Sequence, residues 1–498
     1  MSDPQTIIEA AEALKSGKIS AGELVAASLE KINQWEPRIH AFLELFNDAA
    51  VQQAKDIDAT DNTSEQPLAG IPISIKDIIC TSIGHTTAGS KILQNFRSPY
   101  DATVIKRLRQ AGAIIMGKTN QDEFAMGASN EFSAYGPAYN PWDTSRVTGG
   151  SSGGSAASVA SREVFASLGT DTGGSVRQPA SFCSVVGLKP TYGRVSRFGI
   201  IAYASSLDQV GPFARTVKDC ALVFATIAGP DPLDATTALH PLGRYTEICG
   251  QDISGLKIGL PKEYFSDQVD PQVSAIVKTA VKQLEKLGAT IKEISLPLTQ
   301  FAVPTYYVIV KSEASTNLAK YDGLRYGKLA VETAGLLEQY LVGRGKFFGP
   351  EVKRSILMGT YTLSSGYIDA WYKQASKVRT LIRNEFAQLF NEVDIIAGPV
   401  SPETAFPVGQ KVDDPLAMYL ADMLTDPASV AGLPALSVPC GFSSATGPKS
   451  NAAPTQMPVG LQLIAPHFAE ERLFQVAHAY EQSTKWHKQT PALPNKVK

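Results

Sequence analysis

The stretch Leu68-Ala-Gly-Ile-Pro-Ile-Ser-Ile-Lys-Asp-Ile-Ile79 is apolar and β-branched, yet it carries a lysine at position 76. Its composition predicts a buried strand, and a buried strand needs a sheet with cover on its faces. The neighbouring segments supply the cover. Ser20-Ala-Gly-Glu23 is a capping box, with Leu24, Ala27, Leu29 and Ile32 following near helical spacing. Asp101 is expected to cap a second helix that puts Val104, Ile105 and Leu108 on one face and closes near Gly112. Ala113-Ile-Ile-Met116 then reads as a strand. Helix–strand alternation of this kind predicts an α/β fold with a partly parallel sheet.

Further along, Thr216 caps a helix to about Gly229, and residues 268–390 read as mainly helical. Val393-Asp-Ile-Ile-Ala-Gly-Pro-Val400 and Leu433-Pro-Ala-Leu-Ser-Val-Pro439 read as strands. Asp61 to Pro67 is a polar break, and Ser443 to Pro458 reads as a surface loop. No repeat or long linker divides the chain. One domain over 1–498 is expected, with a helical N-terminal region of about 1–60 and a separable helical part of about 300–390.

Composition narrows the function classes. At 44% hydrophobic and 19% charged, the 498 residues can bury a core, which excludes a disordered chain. Lys+Arg 46 against Asp+Glu 48 leaves no basic excess for binding nucleic acid alone. No run approaches the ~20 apolar residues of a membrane span, and MSDPQTIIEA lacks a basic-then-apolar leader pattern. Five scattered cysteines suit reduced thiols, so a cytoplasmic protein without membrane contact is expected.

Three signals bear on chemistry. Gly112-Ala-Ile-Ile-Met-Gly-Lys-Thr119 matches the phosphate-loop pattern, but its intervening residues want burial and it runs from helix to strand, the reverse of a nucleotide cradle. Gly149-Gly-Ser-Ser-Gly-Gly-Ser155 and Gly169-Thr-Asp-Thr-Gly-Gly-Ser175 read either as flexible loops or as a site. The small-residue run Ser155 to Ser161 suits a tightly packed helix rather than a tether. A hydroxyl directly after Gly173 and Gly174 suits a nucleophile beside an oxyanion hole, or equally an anion cradle built from the same amides. None of the six histidines lies in either segment, although triads assemble in space. The third signal is Lys76, either an edge lysine or partner of Asp77, or a desolvated amine. Lowering a lysine from about 10.4 to about 8 leaves roughly a fifth of it neutral near pH 7.4, enough to accept a proton through a hydroxyl relay.

Together Lys76, Ser151 and Ser175, in this order and spacing, resemble the serine–serine–lysine triad of the amidase signature family. The resemblance implies a large mixed β-sheet sandwiched between helices, with Ser175 as nucleophile, Ser151 as a bridging serine after a cis peptide, and Lys76 as base. It implies an oxyanion hole from the amides of Thr172, Gly173, Gly174 and Ser175, with Asp171 and Arg177 bracing the loop. Arg177 to Cys183, Gly187 to Ser196, Ser205-Ser-Leu-Asp-Gln209, Asp322-Gly-Leu-Arg-Tyr-Gly327 and Glu351-Val-Lys-Arg354 resemble the glutamine-hydrolysing branch found in tRNA-dependent amidotransferases. That branch implies hydrolysis of glutamine through a glutamyl ester, within a heterotrimer completed by B and C subunits. The B subunit would bind the misacylated tRNA and use ATP and Mg, with no cofactor in this chain. For the glutamine zwitterion the resemblance implies Arg354 for the carboxylate, Asp422 for the ammonium and Tyr306 as helper, with Tyr307 as the alternative. A stand-alone amidase acting on another small amide is the rival reading. The sequence departs from the family pattern at Thr148, Ser184 and Lys311, and in Thr425-Asp-Pro-Ala-Ser-Val430, where Asp426 and Ser429 lie close to Asp422.

Overall fold

The strand that carries Lys76, Pro72–Lys76, pairs in parallel with Ile114–Thr119 on one side and Ala166–Asp171 on the other. All five of its residues are buried. This is the environment its apolar composition requires. The computed structural model describes residues 4–60, 66–329, 335–445 and 455–492. Among them, an eleven-stranded mixed sheet forms the centre of the molecule. Its order is Phe42–Leu45, Ile114–Thr119, Pro72–Lys76, Ala166–Asp171, Gln209–Ala214, Val186–Lys189, Ala435–Ala445, Thr455–Ile464, Ile395–Pro399, Lys257–Pro261 and Thr290–Ile294. The Pro72–Lys76 group is parallel, the middle strands are antiparallel, and Ile395–Pro399, Lys257–Pro261 and Thr290–Ile294 are parallel again.

The helices follow their local signals. Ala21–Ile39 starts at Ser20, whose hydroxyl accepts from Glu23 N while the Glu23 carboxylate accepts from Ser20 N. This reciprocal cap satisfies two orphan amides. Val217–Ile227 is capped by Thr216, as its sequence predicts. The helix Thr103–Gln110 buries Val104, Ile105 and Leu108, but Ala102, not Asp101, is its cap residue. Asp101 instead accepts from Ser82 N at 2.6 Å and pairs with Arg109.

Other expectations change in detail. The strand within Leu68–Ile79 is confined to Pro72–Lys76. The N-terminal helices are interrupted by the edge strand Phe42–Leu45. The stretch 268–390 contains the strand Thr290–Ile294, whose mostly solvated residues carry no apolar alternation to announce it. The surface loop expected from Ser443 to Pro458 begins and ends in paired strands, with Ser443 opposite Met457. Residues 446–454 of that loop, like 61–65 of the polar break, lie outside the described residues.

The phosphate-loop match is resolved as a sheet element. Ile114–Thr119 follows the helix Thr103–Gln110, and Lys118 is fully buried. Its Nζ donates to Ile79 O at 2.7 Å and Thr86 Oγ1 at 2.9 Å, and it faces Asp77 at 3.4 Å. A Cβ on Gly117 would lie 2.3 Å from Glu44 O, so this glycine serves close strand packing. Neither glycine nor lysine is left for a phosphate.

Candidate active site

Adjacent residues on a strand point to opposite faces. Asp77 therefore turns to Lys118, while Lys76 enters the space between the two Gly/Ser segments. Lys76 Nζ donates to Ser151 Oγ at 2.7 Å, Ser152 Oγ at 2.8 Å and Thr170 Oγ1 at 2.9 Å. It is neither an edge lysine nor the partner of Asp77. Burial drives its pKa down to about 7, against the pull of Asp122, Asp171 and Asp208 in the opposite direction. A neutral amine with hydroxyl partners can accept a proton at physiological pH.

The serines are held by two backbone features. The Gly150–Ser151 peptide is cis. Gly150 N donates to Gln178 Oε1 at 2.9 Å, and Asp122 N donates to Ser151 O at 3.2 Å. A Cβ on Gly150 would fall 2.2 Å from Asp122 Oδ2, so only glycine fits there. The helix Gly153–Ala160 follows, buried throughout by its small residues. This packing excludes the flexible-loop reading of the first segment.

Ser175 follows the strand Ala166–Asp171 and the turn Thr172-Gly-Gly174, and leads into the helix Arg177–Cys183. Its carbonyl accepts from Ser152 N at 3.2 Å, which sets the two segments against each other. Its hydroxyl is bonded neither to Ser151 nor to Lys76; hydrogen bonds of catalytic groups often close only with substrate in place. The amides of Val176 and Arg177 go to Asp171, whereas those of Thr172 to Ser175 meet no acceptor among the described residues. Histidines are elsewhere: His85 pairs with Glu44, and His467 meets Ala431 O.

Arg177 fixes the turn. Its fully buried guanidinium donates to both Asp171 oxygens, Thr425 O, Gln462 Oε1, Gly173 O and Ser429 Oγ, at 2.7–3.0 Å. Burial raises Asp171, but Arg177 outweighs it and holds the carboxyl below its ordinary value. Replacing Arg177 by methionine strands that carboxylate. Removing one partner of a buried pair typically costs 3–5 kcal/mol, so Arg177→Met is expected to lower unfolding stability by about that amount, read by denaturant titration.

Of the residues expected to hold substrate, Tyr306 and Asp422 border this turn, and Arg354 lies beyond them beside Glu351. A Cβ on Gly173 would lie 2.7 Å from Tyr306 Oη, and one on Gly174 would lie 3.0 Å from Asp422 Oδ1. Tyr306 rather than Tyr307 thus faces the turn; Tyr307 stacks on Tyr419 with ring centroids 4.0 Å apart. Tyr419 Oη donates to Glu351 at 2.9 Å, and Glu351 also holds Arg354 and, at 2.7 Å, Lys311. Two cations around one carboxylate leave this corner net positive. The departure at Lys311 therefore adds a cation beside Arg354.

Sequence reasoning missed several members. Ser152 and Thr170 complete the shell around Lys76. Asp208 accepts from Thr172 Oγ1 at 2.7 Å and from two backbone amides, fixing the start of the turn. Asp122 holds the amides of Asn130 and Phe132 beneath the cis bend. Ser152, Thr170 and Asp208 lie inside segments the sequence singles out, but without individual roles, and Asp122 lies in none of them. Among the described residues no group of three or more His, Cys, Asp or Glu could hold a metal ion.

A mixed sheet bearing a buried lysine under paired glycine–serine segments defines a class of α/β enzymes, the serine–lysine amide hydrolases. Residues 23–474 match the family described as Amidase, and the chain belongs to that family. It is 54% identical over 490 residues to the A subunit of glutamyl-tRNA(Gln) amidotransferase from Chloroflexus aggregans, covering 98% of each chain. The protein of the same name from Moorella thermoacetica is 51% identical, covering 98% of each. The crystal structure of the corresponding A subunit of glutamyl-tRNA(Gln) amidotransferase from Thermotoga maritima superposes with a TM-score of 0.78 at 40% identity, covering 97% of this chain and 96% of that one.

Proposed function

We propose that this chain hydrolyses glutamine as the glutaminase component, the A subunit, of a tRNA-dependent amidotransferase. The observation that carries the reading is the fully buried Lys76 amine bonded to Ser151, in the segment that is hydrogen-bonded to Ser175 through Ser152, in a chain 54% identical to a protein of that name. Arg354 takes the substrate carboxylate and Asp422 the ammonium, helped by the Tyr306 hydroxyl. Lys76 accepts the Ser151 proton as Ser151 accepts that of Ser175, and Ser175 Oγ attacks the carboxamide carbon. The amides of Thr172, Gly173, Gly174 and Ser175 receive the oxyanion. The proton returns through Ser151 to the leaving nitrogen, ammonia departs, and a glutamyl ester remains on Ser175. Water, deprotonated along the same relay, cleaves the ester to glutamate.

In this reading a B subunit receives the ammonia. With ATP and Mg it amidates the misacylated tRNA, Glu-tRNA(Gln) or Asp-tRNA(Asn), while a C subunit joins the pair. This chain itself needs no cofactor. The reading requires the cytoplasm, where aminoacyl-tRNA is made; no helix among the described residues is long and apolar enough to cross a membrane. The test is glutamate release from glutamine by the chain purified with its copurifying partners. Release well above that from other small amides is expected. No release, with another amide turned over, would replace this reading by that of a stand-alone amidase.

A further inference from the structure

We propose that Asp426 is a second carboxylate of the substrate pocket, and that Asp422 and Asp426 together bind the ammonium group of the substrate. This rests on the glutamine reading and deepens it. Asp426 opens the short helix Asp426–Val430 and is fully buried. Both of its carboxylate oxygens, and Oδ1 of Asp422, meet no hydrogen-bond donor among the described residues. Buried carboxylates are otherwise paired or well bonded, so an unpartnered pair marks a place made for a cation.

The position points to the same substrate group. A Cβ on Gly173 would lie 2.7 Å from both Asp426 Oδ1 and Tyr306 Oη, and one on Gly174 3.0 Å from Asp422 Oδ1. Three acceptors thus converge on the two residues before Ser175, and a primary ammonium has three N–H donors. The protein's own cations are committed elsewhere. Arg177 gives its donors to Asp171, Thr425, Gln462, Gly173 and Ser429, and Lys411 is paired with Glu403. Burial raises both carboxyls above their ordinary range, with repulsion from Asp171 adding to it at Asp422 and repulsion from Asp422 adding to it at Asp426, as expected of carboxylates lacking a counter-ion.

The experiment compares kcat/KM for glutamine and for glutaramate, the same amide without the α-amino group, using the chain with its partners. Asp426→Asn, an isostere, and Asp426→Val are both measured. The preference for glutamine over glutaramate is expected to fall about tenfold or more in both variants, through a raised KM for glutamine. An unchanged preference, or an equal loss on both substrates, would overturn the role of Asp426 while leaving the glutamine reading standing. Wild-type protein that does not prefer glutamine over glutaramate would overturn the glutamine reading itself.

Discussion

Ser175→Ala is expected to reduce glutamate release by about five to six orders of magnitude, the scale seen when a hydrolase loses its nucleophilic serine. The change deletes one oxygen from a residue only 4% exposed. Because the Ser175 hydroxyl makes no hydrogen bond to Ser151 or Lys76, its removal leaves no donor or acceptor stranded. The unfolding midpoint of the variant should therefore match the wild type, and the chain should copurify with the same partners. Glutamine binding should persist as well, since Arg354, Asp422 and Tyr306 are untouched. Isothermal titration with glutamine would then show binding without heat of turnover. Activity within tenfold of wild type would assign the nucleophile elsewhere, and Ser151 and Ser152, both bonded to Lys76, would be the next to replace.

What was readable in the sequence followed from how strongly each local signal is constrained. Capping boxes and apolar runs act within a few residues, so Ala21–Ile39 and Pro72–Lys76 were legible at once. The strand Thr290–Ile294 was not, because an edge strand with solvated faces carries no hydrophobic period. Lys76 stood out since lysine is rarely buried. The residues alone left its partner open, because the choice between Asp77 and the serines depends on which face of the strand each residue takes; only the family resemblance pointed to Ser151. Thr170 and Asp122 act on Lys76 only through tertiary packing, 94 residues away for Thr170, and neither belongs to the triad pattern that linked Lys76 to Ser151 and Ser175. Asp426 was visible as an unusual letter. Its meaning appeared only once both oxygens were found without partners at the glycine turn.

Lys76→Ala is expected to lower kcat by about three to four orders of magnitude, the upper range for loss of a general base, and to change the shape of its pH profile. In the wild type burial lowers the amine from its ordinary value to about 7. Below that pH it is an ammonium and cannot accept the Ser151 proton; above it, it can. At saturating glutamine, where the binding carboxylates are already matched by substrate, kcat should therefore rise through pH 7 and level off near pH 8. In Lys76→Ala this inflection should vanish, and the residual rate should climb with hydroxide at higher pH. A wild-type inflection retained in the variant would mean that another group is the base. Stability supplies an independent reading with a defined sign. The folded-state pKa lies below the ordinary lysine value of 10.5, so between about pH 7 and 10.5 the unfolded chain holds the extra proton. Wild-type stability from this group rises with pH across that window and is at its lowest below it. Lys76→Met, which keeps the volume and removes the titration, should lose that slope. It should be more stable near pH 7 by on the order of a few kcal/mol, offset in part by the hydroxyls of Ser151, Ser152 and Thr170 losing their donor. A variant both nearly inactive and more stable than its parent would identify Lys76 as a residue kept for chemistry at the expense of the fold.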